Sequence, residues 1–321
     1  MLIHRSFEEA AAAGTLRGGA VTIGNFDGVH LGHRRLVEVA RSWAATAGKG
    51  AGVLTFEPHP VRVLRPHLAP PLLTALPRKL ELLAELDLAA AVVQPFDATY
   101  AATPAAGFAA RDLAAGLGVA HVVVGYDFTA GRERARVDAL GALLRGTGIA
   151  LHVVEPVTSD GLVVSSTKIR EFLLEGNVEG AALLLDRPHD VDGTVVRGAG
   201  RGRGFGFGTA NVETAALLPA NGVYVVRAAV GPSTGVAPAL HGGVCNVGVK
   251  PTVDASGRVV PEVHLFDFDG HDLYGEPIRV AFLARLRDER RFASIEALRA
   301  QVGADVAAAR RLLAASGSVP M

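Results

Sequence analysis

Two histidines three residues apart, His30 and His33, sit in the stretch Gly24-Asn25-Phe26-Asp27-Gly28-Val29-His30-Leu31-Gly32-His33. Imidazole can donate to phosphate oxygens and stabilise charge that develops at an attacked phosphorus. Asp27 stands beside the pair as an acceptor or orienting group. The glycines let backbone come close to a ligand. The β-branched run Val21-Thr22-Ile23 precedes the stretch, and Leu36, Val39, Ala40 and Trp43 follow at i, i+3, i+4 and i+7. The pattern predicts a strand, a turn and a helix whose free N–H groups and positive dipole end face an anion. A phosphate chain is the ligand this suits. A second helix start, Ser165-Ser166-Thr167-Lys168-Ile169-Arg170, joins capping hydroxyls to two cations that the helix dipole alone would disfavour. A phosphate bound there would account for them.

These groups need a frame. Residues 1–186 alternate short apolar runs, at 21–23, 52–56, 90–93, 121–124 and 150–154, with helical patterns at 78–86, 104–116, 136–145 and 178–185. That alternation implies a parallel, doubly wound α/β sheet with ligands at the strand C-termini. The loop Glu57-Pro58-His59-Pro60, which follows Phe56, and the turn Gly125-Tyr126-Asp127-Phe128 fall at such ends beside the histidine stretch, so one crevice is expected. From Arg187 the pattern changes. Period-two or apolar runs at 191–197, 222–230, 242–249, 261–268 and 277–284 predict an antiparallel sandwich or small barrel, followed by an amphipathic helix over 294–315. The border is placed at 186/187. The run Gly198–Gly208 could cradle phosphates through its N–H groups or be a plain flexible loop. It is neither a dinucleotide fingerprint nor a P-loop. Trp43 and Cys245 read as core residues.

Composition narrows the class. The chain has 321 residues, 49% hydrophobic and 20% charged, with zero formal net charge, which fits two globular domains. A pI near 7.2 gives no support to nucleic-acid binding or to an anionic membrane surface. The single cysteine, Cys245, allows no internal disulfide and no multi-cysteine zinc site. No apolar run approaches the ~20 residues of a membrane span. Glu8 and Glu9 interrupt any signal-peptide pattern. The expected location is the cytoplasm.

The motifs taken together resemble a family. GNFDGVHLGH, FEPHP, GYDF and SSTKIR are similar to the adenylyltransferase half of prokaryotic bifunctional riboflavin kinase/FMN adenylyltransferases (FAD synthetases). GRGFGFGTAN, LPANGVY, GGVCNVGVKPTV, EVHLFDFDGHDLYGE and LRDERRF are similar to its riboflavin kinase half. The resemblance implies a Rossmann-like nucleotidyltransferase domain over 1–186 and a β-barrel kinase domain over 187–321. Riboflavin, FMN and ATP would be the small-molecule substrates. His30 and His33 would stabilise the α-phosphate transition state. Gly24, Asn25, Phe26, Asp27, Gly28, Ser165, Ser166, Thr167, Lys168 and Arg170 would hold ATP. Phe56, Glu57, Pro58, His59, Pro60, Asp127 and Phe128 would border the flavin. In the kinase half, Gly198, Arg203, Gly204, Phe207, Thr209 and Asn211 would bind ATP, Thr209 and Asn211 would hold Mg²⁺, and Glu262 would be the catalytic base. Three places depart from the family pattern: Gly208 replaces a proline, Thr129-Ala130 replaces Arg-Phe, and Asp186 replaces a glycine. A chain with one active half, one acting on a modified flavin, a different small-molecule adenylyltransferase and a non-catalytic flavin-nucleotide sensor remain the rival readings.

Overall fold

The computed structural model describes residues 1–197, 209–231, 240–248, 260–268 and 273–315. Gly198, Arg203, Gly204, Phe207 and Gly208 lie outside them. The chain forms two compact units. One takes Met1–Pro71 and Leu76–Ser165; the other takes Leu72–Ala75 and the chain from Ser166 onward.

The first unit is built on six parallel strands: β1 (Leu2–His4), β2 (Ala20–Ile23), β3 (Ala51–Glu57), β4 (Ala90–Pro95), β5 (His121–Gly125) and β6 (Ala150–Val154). Their order is β1-β4-β3-β2-β5-β6. The chain therefore reverses its direction of winding between β2 and β5, the place where such sheets open a crevice. Alternate residues of one strand face opposite sides. Val21, Ile23, Leu54, Val122 and Val124 join one core with Phe7 and Ala10 of α1 (Phe7–Ala13) and Leu140 and Leu144 of α4 (Val137–Gly146). Ala20, Val53 and Val123 join the other, with Leu36, Val37, Ala40 and Ala44 of α2 (Leu31–Thr46) and Leu82 and Leu83 of α3 (Leu76–Ala84). In β2 to β5, apolar runs buried on both faces make the strands readable.

Three features differ from expectation. The edge strand β1, paired parallel with β4, and α1 carry no long apolar run to announce them. The helix expected over 104–116 is a turn at Ala105–Gly107 followed by a π-type helix over Phe108–Leu117. Trp43 is not a core residue. It is 38% exposed, because the buried stripe of α2 runs through Val37 and Ala44 instead. Its ring stacks on His152 at 4.1 Å and on His121 at 5.2 Å, and the two imidazoles meet at 3.0 Å between Nδ1 of His121 and Nε2 of His152.

In the second unit, α5 (Ser166–Leu174) and α6 (Val178–Leu185) precede a closed barrel. Its strands are β7 (His189–Val196), β8 (Thr209–Glu213), β9 (Gly222–Val230), β10 (Leu240–Val247), β11 (Glu262–Leu265) and β12 (Pro277–Arg287). They run antiparallel in the order β7-β8-β11-β10-β9-β12. The last helix, α7 (Ile295–Ala315), packs Ala309 against Val225 and Phe266. Asp305 of this helix accepts from the Arg287 guanidinium at 2.8 Å. Cys245 is buried, as expected, and burial pushes its thiol up. Asp186 takes a left-handed backbone (φ 58) at the end of α6, the conformation that a glycine adopts without cost.

Gly176, between α5 and α6, has φ 77, and a Cβ there would lie 2.9 Å from the Tyr224 hydroxyl and 2.8 Å from the Arg285 guanidinium carbon. Gly176→Ala is expected to destabilise the second unit by about 2 kcal/mol, read as a lower chemical-denaturation midpoint. The histidine pair generates a second expectation. Burial, and then the charge of His121, hold His152 below its ordinary 6.5. Fluorescence from Trp43, the chain's one tryptophan, should therefore be quenched by imidazolium with a midpoint below pH 6.5, and His152→Asn should move that titration.

Candidate functional site

The first unit's site begins where β2 ends. The residues after Ile23 turn sharply: Phe26 (φ 48), Gly28 (φ 90) and Val29 (φ 42) all lie at positive φ. For valine this is a steric outlier. Phe26 and Val29 are fully buried, and that packing holds the turn in place. It delivers His30 to the N-cap of α2, where Nδ1 accepts from the His33 backbone N–H at 3.3 Å. An accepting Nδ1 leaves the proton of a neutral His30 on Nε2. The two imidazoles stack at 3.7 Å with 15° between their planes, and the Phe26 ring backs His33 at 5.1 Å. Gly32 makes room for this. A Cβ there would lie 3.1 Å from the His30 ring and 3.6 Å from the Val164 carbonyl, directly before Ser165.

Charge gathers at the same place. Asp27 is 1% exposed. Glu57 closes β3, His59 is buried and accepts from the Val61 N–H at 3.3 Å, and the Glu57–Pro58 peptide is cis. The sequence did not single out Lys79 on α3, which is buried and interacts electrostatically with Asp27, Glu57 and His33. Its helical position gave no signal beyond a charge among leucines. Phe56 meets Phe96 edge to face at 5.6 Å and Tyr100 at 6.0 Å, so an aromatic group forms at the C-terminal ends of β3 and β4. Phe96 and Tyr100 were also not anticipated. Tyr100 donates to Asp112 at 3.0 Å; burial, and then that carboxylate, push its hydroxyl up. In the turn after β5, Asp127 is exposed and Phe128 is half-buried; Ala130, two residues on, is in the core. Ser165 ends this unit.

Ser166, Thr167, Lys168 and Arg170 open α5 in the other unit. There Lys168 is paired with Glu171 at 3.0 Å and lies 4.9 Å over the Phe172 ring. In the barrel, register brings the expected residues across neighbouring strands. Asn211 stands opposite Glu262, Glu262 stands opposite Asn246, and Thr209 stands opposite His264. Val263 and Cys245, one residue along each strand, are fully buried on the other face. The oxygens of Asn211 and Glu262 are hard donors of the kind Mg²⁺ takes. Among the described residues no three His, Cys, Asp or Glu side chains group to hold a metal.

Burial, then His30, then Lys79 hold His33 well below its ordinary 6.5, so it is neutral at pH 7. With the folded value below the unfolded one, the unfolded chain binds the extra proton first. Stability is present above about pH 6.5 and is lost as pH falls toward the folded value. An acid titration of the unfolding free energy should show that loss, and His33→Gln should flatten it.

Comparison with known proteins assigns a family to each half of the chain. A family model described as FAD synthetase matches residues 13–168, and one described as riboflavin kinase matches residues 185–313. The bifunctional riboflavin kinase/FMN adenylyltransferase of Pseudomonas fluorescens is 39% identical over 94% of this chain and 94% of its own. That of Bacillus subtilis is 35% identical over 89% of each, and that of Escherichia coli K12 is 37% identical over 91% and 92%. A crystal structure described as a macrolide-efflux protein from Streptococcus pneumoniae aligns with a TM-score of 0.83 and 29% identity, covering 96% of this chain and 98% of that one. Among the described residues, no helix is long and apolar enough to cross a membrane. Two consecutive family matches and full-length relatives place this chain in the bifunctional riboflavin kinase/FMN adenylyltransferase family.

Proposed function

We propose that this riboflavin kinase and FMN adenylyltransferase carries each half-reaction on the residues set out above, with the domain border at 186/187 and the cytoplasm as its location. The stacked His30–His33 pair at the start of α2 is the observation that carries the adenylyltransferase assignment. A phosphate oxygen of FMN attacks the α-phosphorus of ATP and forms the new P–O bond. The bond to the β-phosphate oxygen breaks, and pyrophosphate leaves with the electron pair. The nucleophile is already an anion, so no base is needed. The demand is for donors aimed at the oxygens of the attacked phosphorus. His30 meets it with Nε2–H and His33 with a neutral N–H, beside the free N–H groups of α2. Gly24, Asn25, Asp27 and Gly28 line the triphosphate, and Ser165 to Arg170 hold it from the next helix start. The flavin lies against the Glu57–Pro60 loop, Asp127 and Phe128. Phe56, Phe96 and Tyr100 offer flat surface to its ring system.

In the barrel the nucleophile is a hydroxyl and a base is required. Glu262 takes the proton of the terminal ribityl hydroxyl, whose oxygen bonds to the γ-phosphorus of ATP as ADP leaves. Asn211 and Thr209 would hold Mg²⁺ together with the phosphates. The ion supplies neutralisation of their charge. No nucleic-acid or membrane partner enters this reading.

Assaying FMN and FAD separately tests it. His33→Ala should lower FAD formation from FMN by ~100-fold or more and leave riboflavin phosphorylation intact. Glu262→Gln should do the reverse, with a loss on the order of 100- to 10,000-fold. Either variant losing both activities, or neither, would refute the assignment.

A further inference from the structure

Lys79 occupies a position that helical spacing assigns to an apolar side chain. It precedes Leu82 by three residues and Leu83 by four, and those two leucines are buried on the core side of α3. Lys79 itself is 3% exposed. An ammonium so placed is costly unless an opposite charge answers it. Among the described residues it makes no hydrogen bond and no close ion pair. The charges that reach it are the carboxylates of Asp27, after β2, and Glu57, at the end of β3. Burial pulls its pKa down, and the carboxylates of Asp27 and Glu57 oppose that shift. Its field also reaches His33. An ammonium has three donors to offer a ligand.

We propose that the Lys79 ammonium binds the phosphate monoester of FMN and holds it for attack. This rests on the reading of the Glu57–Pro60 loop as the flavin side of the site. β3 neighbours β2 on the side away from β5, and Lys79 belongs to the helix that follows β3. A phosphate that reaches both Lys79 and the histidine pair therefore comes from the flavin side of the attacked phosphorus. The ammonium takes a non-attacking oxygen and leaves another free to form the new bond. Asp27 and Glu57 favour the charged form of the lysine, and a lysine acts on phosphate as a point charge.

The test uses the full-length chain. FAD formation is measured with FMN varied at saturating ATP, and then with ATP varied at saturating FMN, for wild type, Lys79→Met, Lys79→Gln and Lys79→Arg. Methionine suits the buried site and removes the charge. Glutamine keeps a polar head and gives the same reading if methionine disturbs α3. Loss of one charge-assisted hydrogen bond predicts a kcat/KM for FMN lower by about ten- to a hundredfold in both uncharged variants, with KM for ATP within about threefold. Arginine should restore part of the loss. The inhibition constant of lumiflavin, a flavin ring without a phosphate, should not move, whereas a merely structural lysine would shift it together with FMN. Riboflavin phosphorylation by the same preparations reports that the chain is folded. Unchanged kcat/KM for FMN, an effect confined to ATP, or parallel weakening of lumiflavin would each overturn the proposal. Loss of FAD formation in His33→Ala together with wild-type FMN kinetics in Lys79→Met would remove only this inference and leave the assignment of the site standing.

Discussion

A valine held left-handed is the constraint on which the first unit's site depends. The turn from Phe26 to Val29 costs on the order of 1–3 kcal/mol per strained residue. It persists because both side chains are fully buried beneath α2. Straightening it would move His30 off the N-cap, break the acceptance from the His33 N–H and separate the two rings. The same turn sinks Asp27 into the interior and so sets the charge that Lys79 must answer. Strain, burial and electrostatics are one linked arrangement at the end of β2.

In the function proposed above, the two units meet the phosphates of ATP with different chemistry, and the nucleophile explains why. On the proposed assignment a phosphate monoester arrives charged, so its site is made of donors: imidazoles, a helix N-terminus and a lysine. A ribityl hydroxyl arrives neutral, so its site needs an acceptor for the proton, and the barrel sets a carboxylate opposite a carboxamide across β8 and β11. A neutral His33 suits the first task. It donates without adding a full positive charge beside Lys79, and burial keeps it so.

Much of this was legible in the sequence because it rests on local pattern. The strands at 150–154 and 222–230 lie where their apolar runs predict, and in the second of them residues buried on both faces leave no ambiguity of period. The turn at His30–His33 announced itself through glycines, a preceding β-branched run and a following stripe. What stayed hidden depends on packing at a distance. Leu2–His4 is too short and exposed to read as a strand without β4 to pair with. Trp43 looked like core because the stripe was taken one residue out of phase. Lys79 is an ordinary charge on a helix until Asp27, in the turn after β2, and Glu57, at the end of β3, are brought to it. Asn211 and Glu262 lie far apart in sequence and become neighbours through register alone.

The short segment Leu72–Ala75 carries a consequence for how the protein can be divided. It precedes most of the α/β unit in the chain, yet it belongs to the barrel unit, where the Leu217 N–H donates to the Leu72 carbonyl and Leu73 and Thr74 are buried. No single cut therefore separates the two catalysts cleanly. A fragment ending at the border would carry an apolar strap with nothing to cover it, and a fragment starting there would lack a piece of its own interior. The ribosome faces the same asymmetry, because the strap emerges long before the residue that receives it. The two activities are separable as chemistry, but the polypeptide that carries them is interlaced.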